Sequence, residues 1–367
     1  MNKIEVIHII TTLDSGGAEN QLLLLVDEQV KSGLQVSVIY LKGSGKLKKE
    51  FLKVGAKVED EISYHNLFIQ IFMLRKYFKR SKPIVHLHLP QAELTWFFTF
   101  MRTVTVISRH SGGQFYSKVP KFISTLLSNL ALVRCNRCIA VSHHVRDYLI
   151  ESKEIRNQKK LAVVEYGFSK DFFFSNMSEK NKLHLQNTSN KIILGCVARL
   201  SPEKNHILIF EAVKKLLDQG YDPLLFLAGE GSFRKNLEKE IEILQMQNHV
   251  IFLGKIENVK HFIENMDIVI LASTFEGFGM IILECIASGK LILAANNSAM
   301  KEILEIEAPN QLFNTSFDLT QKIINYRSFL ESPNFDQNYL NILKNYNSTE
   351  MAMKINEIYV TSLKKSK

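Results

Sequence analysis

The chain has 367 residues, 46% of them hydrophobic and 23% charged, with a formal net charge of +9. That length predicts two domains, and the composition excludes the disordered and fibrous classes. The cationic surplus favours anionic partners: phosphate-bearing small molecules, an anionic membrane face or nucleic acid.

The opening MNKIEVIHII is not read as a signal peptide, because its apolar run is short and carries Glu5 and His8. IEVIHII reads as a first strand. It runs into Ser15-Gly16-Gly17-Ala18-Glu19, which opens the helical pattern ENQLLLLVDEQV. Paired glycines let backbone approach a ligand, and a helix start offers N–H groups to phosphate. A plain tight turn explains the same residues equally well, and the dinucleotide fingerprint G-x-G-x-x-G is missing.

QVSVIYL, IVHLHL, TVTVISR, RCIAVS and LAVVEY follow as strands, each feeding a helix or loop, which implies parallel βαβ units. Between them, NLFIQIFMLRKYFKRSK joins an apolar stripe to Arg75, Lys76, Lys79, Arg80 and Lys82. Such a helix suits an anionic lipid surface. A core-facing helix with a solvated basic side shows the same pattern. No stretch reaches the ~18 consecutive apolar residues of a membrane span. His86 and His88 share one face of their strand, and without a clear third ligand they are not assigned to a metal. His110 ends TVTVISR beside Gly112-Gly113 and is the better functional candidate. Cys135 and Cys138 have C-x-x-C spacing with no second pair, so chance placement outweighs zinc or redox use. The four cysteines suggest a reducing compartment, and the chain is expected to be cytoplasmic.

Residues 169–190, rich in Ser, Asn and Lys, break the rhythm and read as a linker. The alternation then restarts with KIILGCVA, PLLFLAG, VIFLG, DIVILAS and KLILAA. The expected division is 1–168, linker 169–190, 191–345, and a final helix with a basic tail over 346–367. The fold class is α/β, with two Rossmann-like doubly wound domains facing across a cleft. Ligands bind open parallel sheets at the carboxyl ends of the strands, so motifs there carry most weight.

In the second half, Arg199 and Lys204 of VARLSPEKNH flank a turn fixed by Pro202 and suit a diphosphate. Gly229-Glu230-Gly231 forms another turn on the same edge. STFEGFGMIILECIASGK ends a strand, turns through Gly277-Phe278-Gly279 and starts a helix near Met280. It holds Glu276 and Glu284, seven residues lying between them. Carboxylates would repel an anion at that helix start, so they are expected to accept hydrogen bonds from hydroxyl groups. Eight residues of helix span about 12 Å, a reach that suits hydroxyls at both ends of a nucleotide sugar. Glu276 taken alone has a lesser second reading as a helix-capping acid.

These residues in this order resemble the family-four retaining glycosyltransferases of GT-B architecture. The resemblance runs over most of the chain, through GGAE, VHLHLP, IAVSHHVRDYL, GCVARLSPEKN, LAGEGSFRKNLE and the E-x7-E block, the last being its most specific part. It implies that Glu276 and the backbone of Gly277, Phe278 and Gly279 hold the donor sugar. Glu284 would hold the ribose, and Arg199 and Lys204 the diphosphate. Gly229 belongs to the donor turn, while Gly16 and Gly17 approach the phosphate or the acceptor. His110 would contact the transferred sugar near the reacting carbon.

The implied activity is sugar transfer with retention from a nucleotide-diphosphate sugar to a glycan or lipid-linked hydroxyl. It needs no metal, cofactor or enzymic nucleophile, and its expected setting is bacterial surface polysaccharide synthesis. Peripheral contact with an anionic membrane is expected, and nucleic acid is not. Departures from the family are Tyr166-Gly167 for Asn-Gly, Ser169 for an aspartate, Leu291 for a proline, and EILEIEAPNQLF where a glycine turn is usual. Two other readings stay open: a sugar-nucleotide epimerase on the same fold, and a non-catalytic partner protein.

Overall fold

The structure, a computed structural model, describes residues 4–14, 16–79, 82–116, 119–175 and 191–366. The chain divides into two compact units. Unit 1 comprises the residues up to Ser169 together with those from Tyr346 onward, and unit 2 is Lys170–Asn345. Most of the expected linker, 176–190, lies outside the described residues, whereas Lys170–Ser175 forms a short helix.

Unit 1 holds seven parallel strands: β1 (Glu5–Thr12), β2 (Gln35–Lys42), β3 (Lys57–Glu59), β4 (Ile84–His88), β5 (Thr105–Arg109), β6 (Arg137–Ala140) and β7 (Leu161–Val163). Their order is β3-β2-β1-β4-β5-β6-β7, so the chain reverses direction of growth between β1 and β4. Val6, Ile7, Ile9 and Ile10 of β1 are fully buried, as a central strand covered on both faces requires. Each contributes about 1.5–3 kcal/mol by burial.

Unit 2 repeats the plan with β8 (Ile192–Val197), β9 (Pro223–Ala228), β10 (Val250–Gly254), β11 (Ile268–Leu271), β12 (Leu291–Ala295) and β13 (Leu312–Phe313), ordered β10-β9-β8-β11-β12-β13. Its reversal falls between β8 and β11. All the strands expected from apolar runs are present. The two added, β3 and β13, are three and two residues long, too short to leave a periodic signal.

The helix Ser348–Ser366 packs in unit 1 against the helix Gly17–Lys31. Ser348 and Thr349 donate to the Glu28 carboxylate, and Tyr359 is buried beneath. The helix Leu67–Tyr77 buries only Gln70 and Leu74. The Gln70 amide is held by the carbonyls of Leu41, Ile62 and His65, while Phe68 and Phe72 are 82% and 68% exposed. A core-facing helix would bury those rings. The apolar stripe of this helix faces solvent instead. No described helix is long and apolar enough to cross a membrane.

Candidate functional site

In unit 2 the candidate residues gather at the strand-order reversal, the place where open α/β sheets leave a crevice at their carboxyl ends. The loop after β8 carries Arg199 and Lys204, and the turn after β11 carries Glu276. The two loops are stitched together. Thr274 donates from its backbone N–H (2.8 Å) and its hydroxyl (3.2 Å) to the carbonyl of Glu203. Lys204 Nζ lies 2.5 Å from Glu276 Oε1, with side chains 14% and 17% exposed. The same Glu276 oxygen accepts from the Ser273 hydroxyl at 2.8 Å, and the Glu276 N–H donates to Ser298 Oγ at 3.0 Å. Asn297 closes the ring by donating to the Ser273 carbonyl.

Arg199 stands apart from this cluster, 76% exposed, with a 3.3 Å contact to Glu203. A pair that open to water is worth little and leaves the guanidinium able to swing to another anion. The loop beneath it is fixed by glycine. A Cβ on Gly229 would lie 1.9 Å from the Ala198 carbonyl oxygen, and one on Gly231 2.1 Å from that of Leu200. These glycines therefore serve close backbone packing under Arg199. Gly279 sits at φ +91° and caps the helix Met280–Ala287, so the turn after Glu276 suits glycine. Glu284, one turn into that helix, has no ion pair among the described residues. Burial pushes its carboxyl up to about 7.

In unit 1, Gly16 caps the helix Gly17–Lys31. The Glu19 carboxylate folds back against it, 2.5 Å from where a Gly16 Cβ would be, and accepts from the Thr12 hydroxyl at 2.6 Å. The expected phosphate approach at Gly16 and Gly17 therefore meets an acid, which disfavours an anion there and suits a hydroxyl. His110, just past β5, donates to or accepts from His88 (3.1 Å) through Nε2 and from Tyr166 through Nδ1. Burial, with Arg109 beside it, lowers His110 to about 3, so the ring is neutral. Arg109 itself is clamped between Glu93 (2.9 Å) and Glu154 (3.1 Å), anchoring the strand end that carries His110.

Metal is set aside in the sequence for want of a clear third ligand, and that reason does not hold. His8 on β1 pairs in register with His86 on β4, and His8, His86 and His88 place ring nitrogens within 4.8 Å of one another. Every one of those nitrogens nevertheless has a hydrogen-bond partner. Burial holds all three rings neutral, which agrees with a hydrogen-bonded core as well as with metal ligation. All four cysteines are free and buried, so Cys135 and Cys138 form no disulfide.

Sequence reasoning missed Glu19, Ser273, Asn297 and Ser298, lone polar residues whose role comes from neighbours distant in sequence. His8 was findable, because adjacent parallel strands bring IEVIHII and IVHLHL into register.

Two family models match the chain: Glycosyltransferase Family 4 over residues 15–171, and Glycosyl transferases group 1 over residues 177–338. Among curated proteins, the chain is 29% identical over 290 residues to the GalNAc-alpha-(1->4)-GalNAc-alpha-(1->3)-diNAcBac-PP-undecaprenol alpha-1,4-N-acetyl-D-galactosaminyltransferase of Campylobacter jejuni, covering 75% of each. Among solved structures it resembles Anabaena Alr3699/HepE in complex with UDP and glucose, with a TM-score of 0.81 at 17% identity over 98% of this chain and 100% of that one. A glycosyltransferase from Rickettsia africae gives 0.77 at 22% identity over 99% and 100%. At those identities the structural likeness speaks for the fold.

Proposed function

The chain belongs to the family-four glycosyltransferases, and from that premise we propose that it transfers a sugar, with retention, from a nucleoside-diphosphate sugar to a lipid-linked glycan. The observation that carries this reading is the Lys204–Glu276 pair at the strand reversal of unit 2, with Arg199 exposed beside it. A diphosphate would draw Lys204 and Arg199 to its oxygens. Glu276, released from its cation and already oriented by Ser273 and Ser298, would then accept from hydroxyls of the donor sugar. Glu284 would take the ribose hydroxyls, its partly protonated carboxyl able to donate as well as accept.

The reaction needs one nucleophile, the acceptor hydroxyl. It attacks the anomeric carbon on the face the nucleotide leaves. The bond from that carbon to the phosphate oxygen breaks as the new glycosidic bond forms, and the hydroxyl proton passes to the departing phosphate. Two cations offset the charge growing on that diphosphate, the task a divalent metal performs elsewhere. Positioning and charge stabilisation carry the barrier reduction.

The acceptor class is supported by the Campylobacter relative, whose name describes a sugar added to an undecaprenol diphosphate glycan. It is also supported by the helix Leu67–Tyr77, which exposes Phe68 and Phe72 next to Arg75, Lys76 and Lys79, a combination suited to an anionic membrane. A bacterial surface polysaccharide is the setting that fits such an acceptor. The test is incubation with a panel of UDP- and GDP-sugars, read by mass spectrometry. Release of free sugar from one donor supports the proposal. Conversion of the donor into an isomeric nucleotide sugar supports an epimerase instead.

A further inference from the structure

Seven hydrogen bonds run unbroken through the core of unit 1. From Tyr166 the chain passes to His110, His88, His8 and Gln29, then through Tyr359 to His86 and Ser108. Gln29 also reaches Asn356 at 3.2 Å. A neutral imidazole has one N–H and one bare nitrogen, so fixing one ring fixes the next. Gln29 sets the direction. Its amide nitrogen faces two oxygens, Asn356 Oδ1 and the Tyr359 hydroxyl, leaving Oε1 to accept from His8 Nε2 at 2.8 Å. His8 Nδ1 is then bare and accepts from His88 Nε2 at 3.0 Å. His88 Nδ1 in turn accepts from His110 Nε2, and His110 Nδ1 accepts the Tyr166 hydroxyl proton. With the Gln29 amide so oriented, His8, His88 and His110 would each carry the proton on Nε2.

We propose that Gln29 is a positioning residue which, through His8 and His88, fixes His110 in the Nε2–H tautomer with its Nδ1 lone pair turned to Tyr166. Gln29 is fully buried on the helix Gly17–Lys31, and Asn356 and Tyr359 lie on the helix Ser348–Ser366. The terminal helix thus sets the protonation pattern of a strand-end histidine. Reversing the Gln29 amide would reverse every donor back to Tyr166, so the ladder has two self-consistent states. Only the present one satisfies Asn356 Oδ1 as it stands. A metal at His8, His86 and His88 would have to displace hydrogen bonds already made by each ring. Its consequence for turnover rests on the proposed transfer and on His110 contacting the transferred sugar near the reacting carbon; the tautomer itself does not.

The test is a long-range proton–nitrogen correlation spectrum of the full chain labelled with nitrogen-15 histidine, peaks assigned by single histidine substitutions. His8, His88 and His110 are each expected to show a protonated Nε2 and a bare Nδ1. Gln29→Glu, whose carboxylate can only accept once ionised, keeps that pattern above the pH at which its buried carboxyl gives up its proton. Gln29→Met loses it, His110 showing both tautomers, and kcat falls while nucleoside diphosphate affinity holds. If Gln29→Met does not fold, the wild-type and Gln29→Glu spectra still decide. A protonated Nδ1 on wild-type His110, an unchanged His110 spectrum in Gln29→Met, or stoichiometric Zn²⁺ in the purified wild type overturns the proposal. Split tautomers with unchanged kcat overturn the positioning role alone, and donor turnover by the wild type still supports the transferase.

Discussion

Glu276→Gln separates the two roles that the Lys204–Glu276 pair would play. The substitution keeps shape and removes charge, leaving a lysine ammonium 14% exposed without its 2.5 Å partner. Breaking a buried pair costs 3–5 kcal/mol and an exposed one about 0–1 kcal/mol, so this nearly buried pair should lie between, at about 1–3 kcal/mol of folding stability. Nucleotide binding should move the other way. In the wild type a diphosphate must draw Lys204 from Glu276; in the variant that exchange is absent, and regaining about 1 kcal/mol corresponds to roughly fivefold tighter binding. Turnover should still fall at least about 100-fold, because a strong acceptor for the sugar hydroxyls is lost. Chemical denaturation, calorimetry with the nucleoside diphosphate and initial transfer rates read the three quantities. Combined with Lys204→Met, the stability effects should be non-additive by about 1–2 kcal/mol. Weaker nucleotide binding with an unchanged kcat would refute the reasoning.

Glu284→Ala should weaken nucleoside diphosphate binding at least about tenfold by removing a ribose partner, and calorimetry showing no change would remove that assignment. Glu284→Gln tests the pH behaviour. Because burial raises the folded carboxyl from 4.5 to about 7, its stabilisation is complete below 4.5 and disappears as pH rises through 7. The melting-temperature advantage of Glu284→Gln over wild type should therefore grow between pH 5 and pH 8, and a flat difference would contradict it. His206 is buried with neither ring nitrogen bonded among the described residues. His206→Leu removes that unsatisfied polarity and should stabilise unit 2 by about 1–2 kcal/mol in a denaturant titration; a loss would show that the imidazole has a partner in solution. Phe68→Ser with Phe72→Ser should abolish co-sedimentation with anionic vesicles while leaving nucleotide binding intact, and unchanged sedimentation would place any membrane contact elsewhere.

The sheet of each unit was legible because a parallel strand buried on both faces is a run of β-branched and aliphatic residues, as in IEVIHII and DIVILAS. Strand-end logic then put Arg199, Lys204 and Glu276 together; the structure pairs Lys204 with Glu276 at the reversal of strand order and leaves Arg199 exposed on the same loop. What the sequence could not give was pairing. It assigned cations to phosphate and acids to hydroxyls, while the structure binds Lys204 to Glu276 directly, a contact across 72 positions. Nor could it show that Glu19 would fold back over Gly16, or that the helix Leu67–Tyr77 would bury glutamine and leave phenylalanine in water. Helical periodicity marks an apolar stripe and is silent on which way the stripe faces.

The claim underlying the whole account is that the charged crevice of unit 2 receives a nucleoside diphosphate. Titration calorimetry with UDP and with GDP, in chelator, on wild type and on Arg199→Ala with Lys204→Ala, measures that directly. The account predicts saturable binding of at least one of the two to the wild type, lost in the double variant. No binding of either nucleotide, or equal binding to both proteins, would contradict it.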